Sequence, residues 1–206
     1  MTLFRFQAFL SSFCLLYLSF FFIISCNTRH PLFKKVSGDQ SGIHFNNQIT
    51  ENDSINPLDV TNIYNGGGVG IGDFNNDGLQ DIYFTGNLVP NKLYLNKGNL
   101  KFNDITAQAG VDGKGRWGRG ISVVDINNDG WQDIYVSVSM EKHSQKRQNL
   151  LYINQGLDKN GIPVFKDMAA EYGLNDSTHS SMAAFFDYDN DGDLDMYLVV
   201  NEIIMT

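Results

Sequence analysis

The sequence predicts an all-β protein assembled from repeats, and three observations carry that prediction. An aspartate-rich nonapeptide occurs three times. Each copy lies between short runs of β-branched and aromatic residues. A second, different motif recurs in phase with the first. Self-similarity at a fixed period marks a chain of stacked units, each burying its apolar face against the next.

The nonapeptide fits D-x-[DN]-x-D-G-x-x-D. The copies are Asp73-Phe74-Asn75-Asn76-Asp77-Gly78-Leu79-Gln80-Asp81, Asp125-Ile126-Asn127-Asn128-Asp129-Gly130-Trp131-Gln132-Asp133 and Asp187-Tyr188-Asp189-Asn190-Asp191-Gly192-Asp193-Leu194-Asp195. Their first aspartates are 52 and then 62 residues apart. A hard cation such as Ca²⁺ takes about six to eight oxygens. Side chains at positions one, three and five of a tight loop converge on one point, and position nine adds a further carboxylate. Position seven can add its backbone carbonyl. Glycine at position six permits the sharp turn. The expected ligands are Asp73, Asn75, Asp77, Leu79 (carbonyl) and Asp81 in the first loop. The same offsets give Asp125, Asn127, Asp129, Trp131 and Asp133, then Asp187, Asp189, Asp191, Asp193 and Asp195. An all-oxygen set without His or Cys argues against zinc and copper.

These are not EF-hands. That loop ends in a bidentate Glu at position twelve and lies between helices. Here position twelve is Phe84, Val136 and Leu198. The following segments, Ile82-Tyr83-Phe84-Thr85, Ile134-Tyr135-Val136-Ser137 and Met196-Tyr197-Leu198-Val199-Val200, have strand composition. So do Gly120–Val124 and Met182–Phe186 before the second and third loops. Each loop therefore joins two adjacent, antiparallel strands.

The second motif pairs Leu93-Tyr94-Leu95-Asn96-Lys97-Gly98 with Phe102-Asn103-Asp104 running on to Gly110-Val111. Leu151-Tyr152-Ile153-Asn154-Gln155-Gly156 precedes Phe165-Lys166-Asp167 running on to Gly173-Leu174. A fainter echo runs from Phe33 to Gly42. Each unit reads as strand, acidic loop, strand, variable loop, strand, turn, strand. Four short strands in fifty-odd residues is the size of a propeller blade.

The combination resembles the FG-GAP/VCBS repeats of integrin α-type β-propellers, and its Leu-Tyr-x-Asn and Phe…Gly tracts resemble the bacterial branch associated with ASPIC/UnbV-type proteins. The likeness runs from about residue 32 to the end. It implies a partial β-propeller of about two to three four-stranded blades, Ca²⁺ in the loops at 73–81, 125–133 and 187–195, and extracytoplasmic binding or adhesion. The third unit stops before its Leu-Tyr-x-Asn and Phe…Gly strands, so the expectation is a truncated array with an open edge at 196–200.

Residues 1–25 follow a signal-peptide plan, with Arg5 before an apolar run from Ala8 to Ile24. Ile23-Ile24-Ser25-Cys26 resembles a bacterial lipobox, which implies acylation at Cys26 and a lipid anchor in the membrane. Residues 26–31 then form a tether. The expected location is the cell envelope, as an outer-membrane or surface lipoprotein, with periplasmic or secreted placement as the alternative. A net charge of −8 speaks against a nucleic-acid partner.

Two features invite other chemistry. Asn65-Gly66-Gly67-Gly68-Val69-Gly70-Ile71-Gly72 resembles a phosphate cradle, but it leads into Asp73 where a helix would have to begin. Close packing of inner strands is the better reading. Glu141–Gln148 is a locally basic run, read as a solvated insertion. The functional expectation is a non-catalytic, calcium-binding module for a protein or glycan ligand. The alternatives are a fragment of a larger extracellular hydrolase or lyase, or a structural remnant of a truncated gene.

Overall fold

A computed structural model describes residues 32–60 and 62–201. The expected leader, the tether and Cys26 lie outside the described residues. The chain divides into Met1–Lys35 and Val36–Thr206, and the strands among the described residues belong to the second unit.

Among the described residues there are three antiparallel sheets. The first comprises β1 (Val69–Gly72), β2 (Asp81–Phe84), β3 (Lys92–Asn96) and β4 (Phe102–Asp104), hydrogen-bonded in that order. The second repeats the plan with β5 (Gly118–Val124), β6 (Asp133–Val138), β7 (Leu150–Leu157) and β8 (Pro163–Asp167). The third holds β9 (Ser180–Phe186) and β10 (Asp195–Val200). The architecture is all-β, with two four-stranded blades and a two-stranded third, as in part of a propeller.

The register explains why the acidic loops recur at this place. Gly72 pairs with Asp81, Val124 with Asp133 and Phe186 with Asp195. Each loop is thus a hairpin connection whose ninth residue is the first residue of the next strand.

Burial is created between sheets. One core cluster joins Tyr83, Leu93 and Val111 to Ile134, Val136 and Phe165, so it bridges the first two blades. A second joins Tyr135, Leu151 and Ile153 of the second blade to Ala183 and Phe185 of the third. β6 is buried along its whole length because it is covered on both faces. Three alternating residues would otherwise show a wet side.

The glycine-rich segment is a packing device, as expected. A Cβ on Gly68 would stand 2.4 Å from the Arg119 carbonyl oxygen, and one on Gly70 would stand 2.7 Å from Ile121 Cγ2. Gly120 repeats the pattern, with 2.5 Å to the Ser181 carbonyl oxygen. Only a residue without Cβ lets the inner strands β1, β5 and β9 come this close.

Two details depart from the expectation, and the basic run agrees with it. The Phe…Gly motif is strand only over its first residues: β4 ends at Asp104, and Thr106–Ala109 form a helical turn, α2. The echo at Phe33–Gly42 contributes no strand. Its end is a helical turn, α1 (Gly38–Ser41), capped by the Ser37 hydroxyl and closed by Gly42 at φ 84°. Residues 43–60 and 62–64 are irregular, and Val60 and Ile63 form a small core with Trp117 and Met140. Phe45 stacks on Phe84 at 4.9 Å, and Asn47 exchanges hydrogen bonds with Asn87. The basic run makes an exposed turn, α3 (Ser144–Arg147), which Arg147 ties to the Glu141, Lys142 and Ser177 carbonyls.

Candidate metal centre

The three loops share one backbone geometry. Position one accepts two N–H groups. Asp73 Oδ1 takes that of Asp77 at 3.1 Å and Oδ2 that of Gly78 at 2.7 Å. Asp125 does the same with Asp129 and Gly130, and Asp187 with Asp191 and Gly192. Position five accepts the N–H of position seven: Leu79 to Asp77, Trp131 to Asp129, and Asp193 to Asp191. Position six has φ of 85°, 86° and 97° at Gly78, Gly130 and Gly192. Position four is also left-handed, with φ of 55°, 54° and 61° at Asn76, Asn128 and Asn190. Asparagine tolerates that region better than most residues. The same residue stands there in all three copies, so the repeat itself carries the signal.

Position nine separates the loops. Asp81 and Asp133 are fully buried. Asp81 Oδ2 accepts the Phe74 N–H at 3.0 Å and Oδ1 the Asn96 N–H at 2.8 Å. Asp133 accepts from Ile126 and Asn154 in the same way. Each carboxylate therefore ties the start of its loop to the third strand of its blade. Burial pushes both carboxyls up to about 6, partly offset by these N–H donors. Asp195 accepts only the Tyr188 N–H at 2.9 Å among the described residues.

The third loop is where carboxylates gather. Asp187, Asp189 and Asp195 each present an oxygen within 4.8 Å of the others. In the first two loops position three is an amide, and it turns inward instead: Asn75 Nδ2 donates to Asp77 at 2.9 Å and Asn127 Nδ2 to Asp129 at 2.8 Å. The Asp193 carboxyl lies above its ordinary range, first through its hydrogen bond with Asp191 and the charge of that neighbour. Among the described residues, ion pairs use Asp104, Asp167 and Glu171, and no loop carboxylate has a Lys or Arg partner. Clustered anions without a protein counter-charge, in an all-oxygen set, fit a hard cation.

Two contacts between loops could not be read from motif spacing. Gln132 Oε1 accepts the Asp73 N–H at 2.7 Å, and Asn76 Nδ2 donates to the Gly130 carbonyl at 3.1 Å. The first two loops thus lie side by side at one end of the blades.

Stacked antiparallel blades, each with an acidic hairpin loop between its first two strands, define a class of acidic-loop β-repeat proteins. Within it, residues 73–136 match the family described as FG-GAP-like repeat. It is similar to cartilage acidic protein 1 of Xenopus tropicalis, 32% identical over 66% of this chain and 20% of that protein. The cartilage acidic protein 1 of Mus musculus is 32% identical over 64% of this chain and 19% of its own length. That of Homo sapiens is 31% identical over 65% and 19%. The chain spans about a fifth of the length of these relatives.

Proposed function

We propose that this is a calcium-stabilised binding module of the cell envelope, lipid-anchored through Cys26, that presents its repeats to a protein or glycan ligand without catalysing a reaction. The observation that carries the calcium part is the convergence of Asp187, Asp189 and Asp195 within 4.8 Å in the third loop. Asp191 and the Asp193 carbonyl complete that site. Asp73, Asn75, Asp77, the Leu79 carbonyl and Asp81 hold the first, and Asp125, Asn127, Asp129, the Trp131 carbonyl and Asp133 the second. The buried position-nine carboxylates would serve two purposes, since an oxygen that accepts an N–H keeps a lone pair for a cation. Calcium supplies the counter-charge that no described side chain provides and fixes each hairpin between its strands. The repeat class supports the binding role.

Scanning calorimetry in EGTA and then in CaCl₂ tests the calcium reading. Ligand binding to the native state alone adds about 2.7 kcal/mol at a hundredfold excess over Kd. Extracellular modules bind with Kd of roughly 10⁻⁴–10⁻³ M, so the melting temperature should rise at millimolar calcium. Asp191→Ala should reduce the rise more than Asp77→Ala or Asp129→Ala. No rise in the parent protein would sink the proposal. The anchor is tested by labelling with a palmitate analogue, which should mark the parent chain and miss Cys26→Ser.

A further inference from the structure

The three acidic loops share a motif, but among the described residues only the first two are joined by hydrogen bonds. Gln132 Oε1 of the second loop accepts the Asp73 N–H of the first at 2.7 Å. In return, Asn76 Nδ2 of the first loop donates to the Gly130 carbonyl of the second at 3.1 Å. Neither of these side chains is an expected ligand. Each stands between two residues that are: Asn76 between Asn75 and Asp77, and Gln132 between Trp131 and Asp133. Their targets are placed in the same way. Asp73 is position one of its own loop, and Gly130 lies between Asp129 and Trp131.

The first of these contacts needs room, and a glycine supplies it. A Cβ on Gly72 would stand 2.3 Å from Gln132 Oε1 and 2.9 Å from Val123 Cγ1. Any other residue there would push the Gln132 amide off the Asp73 N–H.

The second and third loops lack both halves of this arrangement in residue type. Val124 holds the place of Gly72, since it pairs with Asp133 as Gly72 pairs with Asp81. Leu194 holds position eight of the third loop, and its side chain offers no acceptor. Among the described residues, no side-chain amide donates to the Gly192 carbonyl as Asn76 donates to that of Gly130.

Order in either of the first two loops therefore bears on the other. Fixing Trp131 and Asp133 around a cation holds Gln132 against the backbone of Asp73. Fixing Asn75 and Asp77 holds Asn76 against the backbone of the second loop. A second cation then meets a loop that is already partly ordered, and its binding loses less conformational entropy. We propose that the first two loops form one coupled pair, in which calcium in either raises the affinity of the other, while the third loop fills independently. The proposal rests on the calcium reading above and makes Gln132 and Asn76 positioning residues. Charge acts in the opposite sense, because a first divalent ion reduces the attraction felt by the second. At roughly 0.15 M salt that effect is screened beyond about 8 Å, whereas the two hydrogen bonds remain.

Hydrogen exchange read by mass spectrometry resolves the segments 73–81, 125–133 and 187–195, so each loop of the full chain reports its own calcium midpoint at constant salt. Asp77→Ala should move the midpoint of 125–133 to about fivefold higher calcium, the lower end of the usual coupling between sites, and leave that of 187–195 unmoved. Asp129→Ala should do the same to 73–81, because coupling is reciprocal. In a chain carrying Gln132→Leu and Asn76→Gly both shifts should vanish. Leucine is the residue at position eight of the third loop, and glycine accepts the left-handed φ of 55° at position four, so both loops can keep their shape. Unchanged exchange in β6 and β7 checks the fold. The charge removed is the same in both backgrounds, so the difference between them isolates the two contacts. Calcium-induced protection of 125–133 with a midpoint that ignores Asp77→Ala would overturn the coupling alone. So would an equal shift in 187–195, which assigns the effect to overall stability, or a shift that survives the double substitution, which assigns it to charge. Absence of protection in every loop at millimolar calcium would sink the calcium reading, and the coupling with it.

Discussion

The second and third sheets are built from the same sequence pattern and experience opposite environments. β6 and β10 align residue for residue, from Asp133 and Asp195 to Val138 and Val200. Yet Tyr135 is fully buried and Tyr197 is 66% exposed. Tyr135 packs edge-on against Phe185 of the next sheet at 5.4 Å and hydrogen-bonds Asn149 and Leu174. The difference teaches that a strand in this protein owes its burial to the neighbouring sheets. A repeat position is a core position only when the sheets on both sides are in place, which is the quasi-one-dimensional logic of stacked units.

The comparison is broken most severely at that tyrosine. Tyr135→Ala should cost about 3–5 kcal/mol, the usual range for deleting a buried aromatic ring. Tyr197→Ala should stay within about 0.5 kcal/mol, as for an exposed residue. Denaturant unfolding of the two variants measures both. Equal losses would mean that Tyr197 is covered in solution by something the described residues do not include.

The inner strands sharpen the same contrast. Gly68→Ala drives a Cβ to 2.4 Å from a backbone oxygen of β5, between two four-stranded sheets. Gly120→Ala drives one to 2.5 Å from a backbone oxygen of β9, whose sheet has two strands. The first should cost about 1–3 kcal/mol, the range for overpacking a site that cannot yield. The second should cost less, because β9 and β10 can shift together. The reverse order would show the third sheet to be held as firmly as the second.

How much of this was legible follows the same division. Local chemistry could be read directly. The acidic hairpins, the strands on both sides of them and the role of Gly68–Gly72 all follow from residue type and spacing. Interactions between units could not. Asp81 and Asp133 were read as ligands like the others, and nothing in the spacing showed that Asn96 and Asn154 would bind them. Gln132 stands at position eight, which has no ligand role in the motif, yet it holds the Asp73 N–H across two blades. The turn at Thr106–Ala109 was hidden because four residues are too few to show a helical period. The repeated Asn at position four was visible and needed only the observation that glycine at position six is one of two left-handed residues in the loop.

The smallest effect concerns the junction between the two sheets. His179, just before β9, points Nδ1 at the Met140 N–H at 3.2 Å and lies 3.3 Å from the Ser139 hydroxyl. Both belong to the segment that follows β6. Burial lowers the pKa of the ring, and Arg147 lowers it further. Protonation would set an N–H against the N–H of Met140, so the folded state resists it. Above the ordinary histidine pKa of 6.5 the ring is neutral in folded and unfolded chains alike, and the contact is fully kept. As pH falls from 6.5 through the lower folded value, the unfolded chain takes up its proton first and stability is lost. His179→Gln can offer an acceptor oxygen and cannot titrate there. Urea midpoints measured for both proteins between pH 7.5 and 5, with calcium fixed, should fall more steeply for the parent chain. Because the carboxylates titrate in both proteins, the difference between the two curves isolates the histidine. Parallel curves would mean that the ring leaves Met140 without cost, and that the third sheet is joined to the second by its inner strand and apolar face alone.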